Sequence, residues 1–261
     1  MMKIKRSLKY AFLTLVSVMA FSVVLAQEAP ARTYTTETLN YQIVYHWGII
    51  WKHAGNAQLS IRRTSSGYYS ELIGKTRSWA DKIYPVRDTL KCYMNTNFTP
   101  VRYEKITHEK SYFAHDIVKF TKRGGNTTAQ CTRYRRNKPT QRVNLSSPGN
   151  AYDMVSVFYM LRNIDFAGLV RNRSYSTVIF SGKTKETVTI QYRGVQNIKL
   201  RNGSKHNAHH VTFHFTQDGR TKSSDDLSAW LSTDSARIPL LLVGKLPVGE
   251  VKCYLGGSLN Q

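Results

Sequence analysis

The chain has 261 residues, with 38 Lys and Arg against 16 Asp and Glu, giving a formal net charge of +22. Such an excess draws polyanions, whether nucleic acid, anionic lipid head groups or acidic polysaccharide, and otherwise serves only to keep a protein in solution. The three cysteines, Cys92, Cys131 and Cys253, have spacings unlike metal ligands, which excludes a cysteine-held metal centre and allows at most one internal disulfide beside a free thiol.

Lys3, Lys5, Arg6 and Lys9 precede an uncharged apolar run over 11–25, which ends in Val24-Leu25-Ala26 before Gln27. This is the pattern of a secretory signal peptide over 1–26, with small residues where signal peptidase cuts. The run, at roughly fifteen residues, falls short of the ~20 that cross a bilayer, so no transmembrane span is expected after cleavage. No Cys follows it, so a lipid-modified N-terminus is not expected. Cleavage after Ala26 leaves 261 − 26 = 235 residues, enough for a sizeable core. It also leaves 38 − 4 = 34 Lys and Arg, hence 34 − 16 = +18. The expected location is the bacterial periplasm or the cell exterior, as a soluble protein without access to ATP or cytosolic cofactors. There, anionic lipid, glycolipid or polysaccharide is a more available partner than nucleic acid.

Residues 27–38 read as a polar leader, and 39–261 as a single all-β domain. Leu39, Tyr41, Ile43, Tyr45 and Trp47 alternate with Asn40, Gln42, Val44 and His46, which places the aromatic set on one face of a strand. Period-two alternation predicts further strands over 57–61, 68–76, 86–94, 101–106, 112–122 and 127–135. Ser65-Ser66-Gly67 and Arg123-Gly124-Gly125-Asn126 supply hairpin turns, and Asn97-Phe98-Thr99-Pro100 a break. One segment departs from this rhythm. After the turn-rich 146–150, Met154, Val155, Phe158, Met160 and Leu161 recur at helical spacing, predicting an amphipathic helix over 152–163 whose apolar stripe a sheet must cover. Strands resume over 174–180, 186–192, 195–200, 209–216, 227–232, 239–243 and 248–255. The expected fold is mainly β: a strongly curved antiparallel sheet or open barrel of about a dozen strands, with one principal α-helix packed on its concave side.

Six stretches carry a family resemblance. They are Tyr41-Gln-Ile-Val-Tyr45-His-Trp47-Gly48-Ile, Ala54-Gly55-Asn-Ala57, Val86-Arg-Asp88-Thr, Asp153-Met-Val-Ser-Val-Phe-Tyr159-Met-Leu-Arg162, Trp230-Leu-Ser-Thr-Asp234-Ser-Ala-Arg237-Ile-Pro239 and Leu246-Pro-Val-Gly249-Glu-Val. In this order the chain resembles the bacterial "domain of unknown function 3108" family of exported proteins. That resemblance brings no reaction with it. A looser likeness is to periplasmic lipoprotein carriers, in which a curved sheet wraps helices around an apolar cavity.

The candidate chemistry is sparse. His206, His209, His210 and His214 fall close together, but on a strand His210 and His214 face one way and His209 the other. Two imidazoles on one face are too few ligands for zinc, so solvent-facing histidines and no metal are expected. Asp88, Asp153 and Asp234 lie in the family-like stretches without a nucleophile motif beside them. Asp234 suits turn chemistry, with Arg237 close enough to pair; Asp153 suits a helix start; Asp88 could be a buried, paired acid. The thiols read as buried structural residues. Lys122, Arg123, Arg133, Arg135, Arg136 and Lys138 form either a solvated hairpin or a cationic tongue for phosphates, Tyr134 among them. Tyr41, Tyr45, Trp47, Phe158 and Phe213 fall on interior faces, where they fill a core or line an apolar cavity. The reading is a non-catalytic cell-envelope protein that binds an apolar or amphipathic anionic ligand, lipid or glycolipid, in or beside a curved sheet. An envelope interaction module without a small ligand comes second, and a hydrolase third.

Overall fold

The computed structural model describes residues 32–217, 223–245 and 249–257, without the side chains of Trp47, Ala167, Gln217 and 223–226. The expected signal segment and 27–31 of the leader lie outside the described residues. Period-two alternation produces long strands. Eight of them, β1 (Thr36–Trp47), β2 (Ile50–Thr64), β3 (Gly67–Thr76), β4 (Arg87–Met94), β5 (Pro100–Glu109), β6 (Tyr112–Arg123), β7 (Asn126–Arg135) and β8 (Lys138–Pro148), form one antiparallel meander. β1 begins inside the stretch read as leader, and Tyr34 just before it is buried. A one-turn helix, α1 (Ser78–Asp81), stands between β3 and β4; nothing in the sequence pattern pointed to it.

The chain then makes the two-residue β9 (Ala151–Tyr152), helix α2 (Ser156–Arg162) and a 3-10 turn at Phe166–Gly168. A second meander follows through β10 (Ser174–Phe180), β11 (Lys185–Lys199), β12 (Lys205–Gln217), β13 (Ser223–Ser232), β14 (Pro239–Lys245) and β15 (Glu250–Leu255). β15 returns to pair antiparallel with β1, Leu255 opposite Tyr41, so all fifteen strands belong to one sheet, more than the expected dozen. β11 runs without a break through the stretch expected to hold two strands; its register shifts between Tyr192 and Gly194 instead.

The sheet curls into a nearly closed barrel. Its two end strands, β8 and β9, are consecutive in the chain but share no hydrogen-bonded ladder. Side chains close the gap between them. Phe120 of β6 stacks on Phe180 of β10 with ring centroids 5.8 Å apart. The Asp116 carboxylate approaches Gly182 so closely that a Cβ there would lie 3.0 Å from it, and Gly182 has φ +132°, a conformation that glycine adopts without a side-chain penalty.

Strand direction sorts the connections. The turns 48–49, 77–86, 110–111, 136–137 and 181–184 share the upper end of the barrel, whereas 65–66, 95–99, 124–125, 149–150 and 200–204 share the lower.

The predicted helix is shorter than its apolar period, seven residues over Ser156–Arg162, and for a physical reason. Asp153 caps it from outside. Its Oδ1 accepts the backbone N–H groups of Val155 (2.7 Å) and Ser156 (3.0 Å), and its Oδ2 accepts the Ser156 hydroxyl and the Cys92 thiol, each at 2.9 Å. Such a carboxylate ends the need for earlier helical hydrogen bonds. The expected single stripe becomes three contacts. Val155 and Tyr159 pack into a cluster with Tyr34, Tyr68, Phe98 and Tyr103, and Leu161 packs into a second one with Phe166, Val211, Phe213 and Leu231. Phe158 meets neither cluster and faces a cavity.

Most polar side-chain groups of this buried segment are paired, Arg162 Nε being the exception. The Tyr159 hydroxyl lies 2.9 Å from Ser70 Oγ, and Arg162, fully buried, forms a fork with both Glu37 oxygens at 2.6 and 2.9 Å.

Candidate functional site: an apolar cavity beside the helix

A cavity of about 480 Å³ lies between α2 and the strands at the centre of the sheet. Its walls alternate inward residues of β1–β4 with those of β13–β15, and Val155, just before α2, and Phe158 within it close its inner side. Register explains why space remains. Tyr41 stands opposite Ala57, Ala57 opposite Gly74, and Gly74 opposite Asp88, so two small residues interrupt a row that larger ones would fill. Across the cavity Gly244 does the same in β14. A Cβ on Gly74 would meet no atom within 4 Å, and one on Gly244 only Leu227 Cδ1 at 4.0 Å. The size falls in the range of ~300–1,000 Å³ usual for small-molecule sites.

The chemistry of the wall is almost wholly apolar. Tyr41 turns its hydroxyl away to donate to the Pro239 carbonyl at 2.9 Å, and burial drives its phenol pKa far up. Cys253 lies on the wall as a thiol, pushed up to about 11 by burial. Among the described residues, Asp88 is the one charged residue lining the cavity. Its Oδ1 accepts the backbone N–H of His108 at 3.0 Å, and desolvation raises its carboxyl above the ordinary value. The acid expected to be buried and paired is thus half-buried, and its hydrogen bond comes from a backbone amide.

Of the aromatic residues proposed as lining, Tyr41 and Phe158 are on the wall. Phe213 is elsewhere, buried in the second cluster behind α2. Tyr45 is half-buried and not on this wall, and the side chain of Trp47 lies outside the described residues. The residues missed were Gly74, Gly244 and Ala57. The only sequence signal for them was glycine or alanine at an inward position of a strand, and that gains meaning only when strands from both meanders are set facing each other.

The basic stretch is not brought together as one tongue. Lys122 and Arg123 flank the turn at the lower end of β6, while Arg136 and Lys138 flank the turn at the other end of β7; ten residues of strand separate them, ~30 Å. Arg133 and Arg135 face inward. Arg135 grips both oxygens of buried Asp116 at 2.7 and 2.9 Å, and Arg133 Nε lies 3.3 Å from the same carboxylate. Lys122, though it donates to Asn150, is exposed, as are Arg123, Arg136 and Lys138.

The histidines also depart from expectation. His209 stacks on Phe166 at 4.5 Å and meets the Tyr192 hydroxyl at 3.0 Å, and His210 stacks on Trp230 at 4.4 Å, so neither simply faces solvent. Among the described residues no group of three or more His, Cys, Asp or Glu is placed to hold a metal ion. The ring nitrogens of His210 are buried without partners, and burial holds its pKa below the ordinary 6.5. An unfolded chain therefore takes up this proton first as pH falls, and stability is lost on descending through and below 6.5. His210→Phe keeps the stack and removes the titration. Its melting temperature should gain on that of the native protein between about pH 7.5 and about pH 5; a constant difference would show that His210 stays uncoupled from folding.

The remaining candidates are structural. Cys92 and Cys131 are buried, and all three cysteines are free thiols with pKa values raised by burial, the reverse of an activated nucleophile. Asp234 organises its turn, accepting the Ser232 hydroxyl and the N–H groups of Ala236 and Arg237. The Arg237 side chain does not pair with it; the guanidinium instead caps α2 through the carbonyls of Arg162 and Ile164.

No curated protein matches the chain by sequence. Its fold is similar to that of a β-barrel-like protein of domain of unknown function DUF1849 from Brucella abortus, with a TM-score of 0.62 at 14% identity over 87% of this chain and 98% of that one. At that identity the likeness concerns the fold alone. The sequence profile of the proteins of unknown function termed DUF3108 matches residues 40–256, and the chain belongs to that family.

Proposed function

We propose that this is an exported, non-catalytic cell-envelope protein that holds an apolar or amphipathic ligand, lipid or glycolipid, in the cavity beside α2. The observation that carries the reading is the cavity itself: about 480 Å³ of space kept open by small residues at inward strand positions and walled by apolar side chains. Transfer of an acyl or other apolar group into such a space is favoured at ~25 cal/mol per Å² removed from water. Asp88 refines the reading. A group that donates a hydrogen bond, such as a hydroxyl or an ammonium, finds an acceptor there, whereas a negative charge would face a carboxylate with no cation on the wall. Any anionic end of the ligand therefore lies outside the cavity.

The non-catalytic part rests on the wall's chemistry, which offers a protonated thiol and one carboxyl but no nucleophile with a base beside it. The test is to purify the protein from its native envelope, extract it with organic solvent and identify what it carries by mass spectrometry. Titration with a fluorescent acyl probe complements this. A co-purified amphiphile, or saturable displacement of the probe at one site, is the expected result. Neither carried amphiphile nor probe binding would favour an envelope interaction module without a small ligand.

A further inference from the structure

The upper end of the barrel has a surface unlike the rest of the molecule. Three neighbouring turns there, β1–β2, β3–β4 and β5–β6, carry Ile49, Ile50, Trp51, Ile83, Tyr84 and Tyr112, six of the eleven exposed large hydrophobics among the described residues. Ile49 is 97% exposed and Ile83 67% exposed, so neither is covered by the described residues. Singly exposed apolar residues need no explanation, but a cluster on adjacent loop tips does.

The charges at this end are equally one-sided. Lys52, Lys82, Lys110, Arg136, Lys138 and Lys183 are exposed there. Among the described side chains, the acids of the same end are half-buried and engaged: Asp81 with Arg87, Glu109 with the Tyr84 hydroxyl, Glu186 with Ser181, and Glu250 with His46 and Lys252. Lys52 lies 4.0 Å over the Trp79 ring and Lys110 4.9 Å over the Tyr84 ring, so cationic and aromatic groups are interleaved. Apolar tips surrounded by cations match the boundary between head groups and acyl chains of an anionic bilayer. A protein partner of complementary shape would not require the cationic excess that the described side chains of this end show.

We propose that this end docks on the surface of an anionic phospholipid bilayer, with the tips at Ile49 and Ile83 inserted among the head groups and the lysines against the phosphates. The inference rests on the reading of the cavity as an amphiphile site. Ile43, Gly244 and Val251 of its wall lie on the upper parts of their strands, and Val86 in the turn above β4, so docking brings the cavity to the membrane and gives a lipid a short dry path.

Flotation of the full chain, purified as its host leaves it, with phosphatidylcholine vesicles containing or lacking phosphatidylglycerol tests this. The native protein should float with the anionic vesicles, less at high salt, and weakly with the neutral ones. Ile49→Ser with Ile83→Ser should weaken anionic-vesicle binding tenfold or more, and Lys82→Glu with Lys110→Glu should abolish the preference for phosphatidylglycerol. Both pairs are exposed and off the cavity wall, so melting temperature and acyl-probe binding in solution should stay native. Native-like flotation of the isoleucine variant, no flotation of the native protein, or equal binding to neutral vesicles each overturns the proposal. Probe binding is read separately, so a dry cavity in a protein that still docks would defeat the ligand reading alone.

Discussion

Glu37→Ala should lower the free energy of unfolding by about 3–5 kcal/mol, the range for breaking a buried ion pair from one side. Arg162 is fully buried at the end of α2, and Glu37 satisfies both of its terminal nitrogens, while the Ala236 carbonyl takes a third hydrogen bond at 3.0 Å. Tyr34 and Tyr159 flank the guanidinium, with ring centroids 5.2 and 5.9 Å away. Loss of the carboxylate leaves a desolvated cation with one carbonyl acceptor. The pair also ties α2 to β1, so its loss should loosen the helix from the barrel. Denaturant titration measures the change, and a loss below about 1 kcal/mol would mean that water or another acid replaces Glu37. Combining Glu37→Ala with Arg162→Met should restore much of the stability, because a buried ion pair and apolar side chains of similar volume are often close in free energy.

Gly74→Phe should act in the opposite direction on stability while removing function. The position has ordinary strand geometry and open space where a side chain would project, so a ring can enter the cavity without displacing the backbone. Filling a cavity commonly adds about 0.5–2 kcal/mol, and the glycine it replaces is a weak strand former. Acyl-probe affinity should fall at least tenfold, equivalent to about 1.4 kcal/mol. Tight probe binding retained in a correctly folded variant would place the ligand elsewhere. A protein that binds nothing there would show the gain in stability without any loss.

The strands were legible because inward and outward residues differ in polarity, as in Leu39 and Tyr41 against Asn40 and Gln42. That alternation also set Arg133 and Arg135 on one face. It could not show that the face was inward, nor that Asp116 from the preceding strand was waiting opposite; both are facts of register. The helix was legible as a period of apolar residues, but a period shows only a stripe, whereas α2 has protein on several sides and carries a buried arginine. The hollow was least legible of all. It depends on Gly74 and Gly244 facing one space from strands far apart in sequence, and an inward glycine in isolation looks the same as a glycine that eases a twist.

The free edge of β8 gives the basic stretch a second use that needs no ligand. An unpaired strand offers a template on which another copy of the chain could extend the sheet. Pro139 and Pro148 have no N–H to contribute to such a pairing, and Lys138 and Arg142 set like charges against each other in an approaching copy. Neutralising those charges would therefore favour stacking of barrels edge to edge, so Lys138, one of the cations of the upper end, also works against self-association through this edge.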